Sequence, residues 1–208
     1  MTKDKFLRMS HAHIGMLTLK AYTLQVMYEN NKVFLDIYLK DKIEKDVEEI
    51  KKLKDEYDEE IIDLFYEDIG DYNHFSNETS EVLSHYMMVA LYSYYEIALK
   101  NILKLTKKLK PSELKSLYLF RNVKSILKTK FGVEYEDRKK SSFLLLNELR
   151  IINNCSKHGG IVDDNLHAAN NEWNIDQEFG DLSGHYIKFE HVPSVYLEEL
   201  VSEISNSL

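Results

Sequence analysis

The stretch VLSHYMMVALYSYYEIALKNILKLTKKL, Val82 to Leu109, decides the fold class. It runs for seven turns without glycine or proline and is rich in aromatics and aliphatics (Leu83, Tyr86, Met87, Met88, Leu91, Tyr92, Tyr94, Tyr95, Ile97, Leu99, Ile102, Leu103, Leu105). Apolar side chains occupy nearly the whole circumference of its upper part, so this helix is expected at the centre of a bundle. Thr79 or Ser80 is placed to cap it, with Glu81 in the first turn. Pro111 opens the next segment, because a proline suits a first helical turn and disfavours helix in the residue before it. The tyrosines between Tyr86 and Tyr95 read as core rather than as a platform for stacking bases.

Upstream, Phe6 to Leu39 reads as one long helix, or as two with a break near Asn30-Asn31. Ile43, Val47, Ile50, Tyr57, Ile61 and Leu64 then follow alternating steps of four and three, with Lys54 filling the one missing slot, a coiled-coil-like stripe expected to pack on the first helix or on a partner's copy of it. Gly70 to Ser80 is polar and predicts a loop. Downstream, Leu114 to Phe131 predicts an amphipathic basic helix, Gly132 to Lys140 a loop, and Ser141 or Ser142 to His158 a further helix. Ile161 to Gly184 reads as loop, Tyr186 to Glu190 alternates like a short strand, and Pro193 begins a closing helix. The expected fold is all-α: a helical bundle with an N-terminal long-helix hairpin and at most a small β-hairpin near the C-terminus. Residues 1–75 form the hairpin extension, and residues 80–208 a domain packed with it as one unit.

With 208 residues, two prolines, seven glycines and 44% hydrophobic residues, the chain suits one helical domain with a substantial core. A single cysteine, Cys155, excludes an intramolecular disulfide and a cysteine-based zinc site, and reads as a small buried residue. No membrane span or signal segment is visible, and a reducing cytoplasm is the expected setting. His11 and His13, two apart on a helix, point away from each other, so no metal or other cofactor is expected. The net charge of −8 is segregated: residues 41–81 sum to −11, residues 100–140 to +9 and residues 159–208 to −9. Such faces pair with each other or with a second subunit, or the basic third is displayed as a patch for an RNA backbone.

The segment Asn147-Glu148-Leu149-Arg150-Ile151-Ile152-Asn153-Asn154-Cys155-Ser156-Lys157-His158-Gly159-Gly160 combines polar residues, helical spacing and an abrupt stop. Arg150, Asn154 and His158 are four residues apart, a step that turns only about 40° on a helix, so they share one slowly turning stripe. The glycines leave His158 in the last turn beside free carbonyls, which favours the imidazolium and equally allows a plain capping role. A structural bridge from Arg150 to Glu96 or Glu148 is the plain alternative to a phosphate-binding role.

This helix resembles the motif helix of the HEPN superfamily, whose signature is an arginine, a polar residue directly after it and a histidine a few residues on. Asn154, His158 and Gly159-Gly160 carry the likeness, with Glu148 and Arg150 as the charged residues before it. Tyr94-Tyr95-Glu96-Ile97-Ala98-Leu99-Lys100 is similar to the preceding helix of such domains. The likeness covers about residues 80–208. It implies a metal-independent endoribonuclease of a toxin or phage-defence type that works as a homodimer, with two motifs facing each other and an antitoxin or defence component as a further partner. In that role His158 moves the proton, Arg150 stabilises the phosphate and Asn154 orients them. Lys157, Lys104, Lys107 and Lys108 hold the RNA backbone, and Glu96 and Glu148 support the site. The sequence departs from the signature at Asn153, where the arginine is expected. Two readings follow: Arg150, one turn back, serves in its place, or the site keeps only dimerisation and interaction with partners.

Overall fold

A computed structural model of the protein describes residues 2–54, 57–137 and 139–208. Among them are eight α-helices and one 3-10 turn: α1 (Lys3–Leu53), α2 (Glu59–Leu105), α3 (Pro111–Lys115), the turn Ser116–Tyr118, α4 (Phe120–Phe131), α5 (Ser141–Lys157), α6 (Asp164–Ala169), α7 (Ser183–Phe189) and α8 (Val192–Asn206). The all-α bundle with a long N-terminal helix pair is the expected architecture.

The long helices are longer than their sequence suggests. In α1, the Thr2 hydroxyl accepts from the Lys5 amide, Asp4 lies in the first turn and Lys51 and Lys52 lie in the last, each matching the helix dipole. Phe6, Ser10, Ile14, Leu17, Ala21, Leu24 and Tyr28 bury one face in steps of three and four. The helix continues through Asn30-Asn31 without a break, and Leu35, Leu39 and Ile50 extend the same face.

The loop expected at Gly70 to Ser80 is likewise absent, since α2 runs through it. A lone glycine costs only about 1 kcal/mol in a helix, and packing on α1 outweighs it. Tyr72 donates to Asp46 at 2.9 Å, while Lys42 lies over its ring and reaches Asp46 at 3.1 Å. The turn falls instead between Leu53 and Glu59, within the segment read as one coiled-coil helix; Asp55 and Glu56 lie outside the described residues, as does Arg138 of the basic segment. That turn resets the register. Ile62 is buried and Phe65 half-buried, while Ile61 and Leu64 face solvent.

Beyond α2, Pro111 begins α3 as its position predicts, but the expected helix to Phe131 is interrupted by the 3-10 turn and an extended Leu119. Gly132 ends α4 in the left-handed region, at φ 70°, where a side chain would be strained. The strand read at Tyr186 to Glu190 is helix α7. Its buried residues are Tyr186 and Phe189, spaced three apart, while Ile187 is exposed. The Tyr186 hydroxyl donates to the Ala21 carbonyl of α1 at 2.8 Å and fixes that turn against the bundle. β-pairing among the described residues is limited to one bridge, Ile161 with Glu178.

Helix α8 lies in the middle of the bundle, with Tyr196, Leu197, Leu200 and Ile204 fully buried among α1, α2 and α5. A buried tyrosine cluster closes one end: Tyr95 and Tyr135 share a hydroxyl hydrogen bond of 2.6 Å, and the Tyr196 hydroxyl donates to the Tyr135 carbonyl. The first half of α1 belongs to the same core as α2, α5 and α8, while its second half projects with the start of α2 as a two-helix arm.

Candidate functional site on helix α5

Helix α5 divides its polar residues between an inner and an outer side. Glu148 is buried and accepts from the Trp173 indole at 2.9 Å, Asn170 at 3.0 Å and Lys188 at 3.2 Å. It therefore ties α5 to the segment after α6 and to α7, and it makes no bridge to Arg150. Asn153, the residue in the arginine's expected place, is 2% exposed. Its amide donates to the Asn154 side chain at 3.3 Å, and its Oδ1 has no partner among the described residues. A guanidinium there would have to lose its hydration inside the bundle, which is costly without a paired acid. Burial explains why position 153 suits an amide.

The outer side carries Asn147, Arg150, Asn154 and His158. Arg150 is half-buried. Its guanidinium donates to the Asn147 side-chain Oδ1 at 2.9 and 3.2 Å and lies 4.4 Å from the centre of the Phe120 ring. The structural bridge to Glu96 or Glu148 does not form. The guanidinium borders a depression of about 360 Å³ between α5 and α6. Asn154 and His158 border a second one, of about 370 Å³, with Cys155, Asp163, Asp164 and Asp176. The stripe thus spans two adjoining hollows. Eight residues at 1.5 Å each put Arg150 and His158 about 12 Å apart along the axis, too far for one chain to grip a single phosphodiester with both.

His158 is the C-cap of α5, and its amide donates to the Cys155 carbonyl at 3.0 Å, as the Gly160 amide does at 2.9 Å. Gly159 and Gly160 have φ of 109° and 71°, so the chain leaves the helix through conformations that favour glycine. The imidazole is exposed and is left facing solvent. Cys155 beneath it is buried, and burial pushes its thiol up, which suits packing rather than nucleophilic attack. Glu96, on α2, is half-buried; burial raises its carboxyl, and nearby Lys157 pulls the other way.

The four expected RNA-binding lysines separate. Lys157 is exposed beside His158. Lys104, Lys107 and Lys108 lie at the far end of α2, which meets α5 antiparallel: His85 lies beside Gly160, and Thr106 caps α2 roughly 30 Å further on. Lys108 there donates to the Ser207 carbonyl at 2.7 Å. The basic helix α4 is largely self-neutralised, with Lys124, Lys128 and Lys130 paired to Glu136, Glu134 and Glu113.

Residues that the sequence reading missed include Phe120 and Asn147, which hold Arg150, and the aspartates around His158. Asn147 was legible as the neighbour three positions before Arg150; the others come from distant segments. Asp163 caps α6 by accepting from the Leu166 amide at 2.8 Å. Burial alone would raise its pKa, but hydrogen bonds from Asn165 and Leu166 hold it below the usual carboxylate range. Asp181 is depressed in the same way by Ser183 and by Tyr28 of α1, against its burial. Groups whose folded pKa is depressed stabilise the fold above their unfolded pKa, about 4, and lose that contribution as pH falls through the folded value. Urea unfolding should therefore show stability falling below about pH 4, and Asp163→Asn with Asp181→Asn should flatten that acid limb.

No group of three or more histidine, cysteine or acidic side chains is placed to hold a metal ion among the described residues. No described helix is long and apolar enough to cross a membrane. Comparison with family models, curated proteins and solved structures gives no match to this chain.

Proposed function

We propose that the protein is a HEPN-like RNA-binding homodimer, and that the outer face of α5 is its RNA track. In this reading it is a metal-independent endoribonuclease of the toxin or phage-defence type. The observation that carries the reading is the state of the helix end. Asn154, Lys157 and His158 are exposed together beside an open hollow, while Glu148 and Asn153 on the same helix are buried. The ribose 2′-hydroxyl attacks the neighbouring phosphorus and the 5′-oxygen leaves; His158 takes or returns the proton, and a guanidinium bears the charge that builds on phosphate. Because Arg150 and His158 of one chain are about 12 Å apart, a second subunit supplies the missing half of each centre.

The acids around His158 favour a second reading. Asp163, Asp164 and Asp176 rim the hollow and repel phosphate, which suits a non-catalytic helical interaction module. Binding of a fluorescent single-stranded RNA, followed by anisotropy in EDTA at several salt concentrations, separates the two. The RNA reading expects binding that weakens with salt, and a loss of about tenfold in Lys157→Ala and Arg150→Ala with a smaller salt slope. Absence of binding by the wild type, or equal binding by both variants, supports the interaction module.

A further inference from the structure

The α1–α2 hairpin carries a second apolar surface on the side away from the bundle. On α2, Phe75, Val82, Tyr86 and Ile97 are each between 51 and 68% exposed and fall within about 60° of one another at 100° per residue. On α1, Met16, Leu19, Met27, Phe34, Ile37 and Tyr38 are 53 to 67% exposed and share an arc of about 100°. Both stripes border one seam, closed where Lys20 lies 4.7 Å from the Tyr94 ring centre. More than half of each of ten large side chains, at about 100 Å² apiece, gives roughly 1,000 Å² of exposed apolar surface. A monomer tolerates a few hundred, and each side of a standard interface buries about 800 Å².

The occupant is indicated by symmetry and charge. Along α2, Phe75 and Ile97 stand equally far from Tyr86, eleven residues to either side. Continuing outward on the same face come Asp71 and Asp68 at one end and Lys100 and Lys104 at the other. None of these four makes an ion pair among the described residues. Across a two-fold axis at Tyr86, Phe75 meets Ile97 of the second copy, and Asp68 and Asp71 meet Lys104 and Lys100. Helix α1 shares the centre. Lys20 sits by Tyr94 and Lys42 by Tyr72, so Met27 is level with Tyr86–Met87, and Met16 and Tyr38 are again eleven residues to either side.

We infer that this hairpin face binds a second copy of the chain, antiparallel, in a four-helix interface centred on Tyr86 and Met27. The opposed acidic and basic halves of α2 fix the antiparallel direction. A parallel pairing would set acid against acid along residues 59–81, which hold eight acidic residues and no lysine. The same acids disfavour an anionic membrane surface. The inference stands on the hairpin alone and does not depend on RNA binding.

The test is the mass of the full-length protein by sedimentation across a concentration series. The wild type is expected to dimerise, and Tyr86→Lys and Val82→Lys to raise the dissociation constant by about 30-fold or more, with unchanged circular dichroism. Asp68→Lys with Asp71→Lys, and Lys100→Asp with Lys104→Asp, should each weaken the dimer; all four together should restore it. Under mild oxidation, Tyr86→Cys should cross-link two chains, Ile187→Cys should not, and native Cys155 is buried. A wild type that stays monomeric, a dimer indifferent to Tyr86→Lys, or a four-fold variant that fails to recover would each overturn the inference. RNA anisotropy on the same samples reports separately on the α5 reading.

Discussion

Replacing Glu148 with alanine is expected to lower the unfolding free energy by about 3 kcal/mol. The carboxylate is buried and receives donors from three separate segments, Trp173, Asn170 and Lys188. Truncation leaves the Trp173 indole N–H, which is inside the protein, without an acceptor. It also frees the α6–α7 segment that forms one wall of both hollows on α5. Glu148→Gln keeps an acceptor for the indole and should cost less, and Lys188→Met should cost least because that ammonium is 38% exposed. Urea denaturation of the three variants gives the ordering directly. A loss below about 1 kcal/mol for Glu148→Ala would mean that the cluster adds little to stability.

Replacing His158 with alanine is expected to reduce RNA cleavage in EDTA by about 100- to 10,000-fold, the range for loss of a positioned acid or base. Folding should be little affected. The imidazole is exposed, and the helix end is held by the amides of His158 and Gly160 on the Cys155 carbonyl, which survive the substitution. Single-turnover cleavage with the wild type and His158→Ala, both checked by thermal unfolding, separates chemistry from stability. Arg150→Ala should show a comparable loss, because the guanidinium is already oriented by Asn147 and Phe120. Cleavage that persists at the wild-type rate in both variants would exclude the enzyme reading.

The helical class and the ends of α5 and α8 were legible because their signals are local. Gly159-Gly160 stops one helix, Pro193 starts the other, and the Val82 to Leu109 pattern demands a central helix. The long helices misled for a physical reason. Gly70 to Ser80 lacks an apolar stripe of its own, and the helix packed alongside keeps it helical, whereas at Asn30-Asn31 the reading of one unbroken helix holds. Tyr186 to Glu190 failed differently: five residues fit both a period of two and a period near three, and the contact of Tyr186 with Ala21 selects the helix.

In the candidate site, the outward stripe Asn147, Arg150, Asn154 and His158 follows from helical spacing alone. The burial of Asn153 and the Phe120 ring under Arg150 depend on how α5 meets its neighbours, which sequence spacing does not encode. The charge segregation was legible as numbers, but its meaning came from geometry. The lysines of α4 are consumed by nearby glutamates, whereas Lys100 and Lys104 stand in line with Asp68 and Asp71 along α2.

Photocrosslinking followed by peptide mapping would show whether RNA lies along the outer face of α5. Single-stranded RNA carrying photoreactive uridines would be irradiated with the protein in EDTA, and the attached peptides identified. Attachment is expected within residues 147–160, centred on Asn154, Lys157 and His158 and reduced by Lys157→Ala. Attachment confined to the lysines of residues 100–131, or none above a protein control of equal charge, would contradict that placement of the RNA.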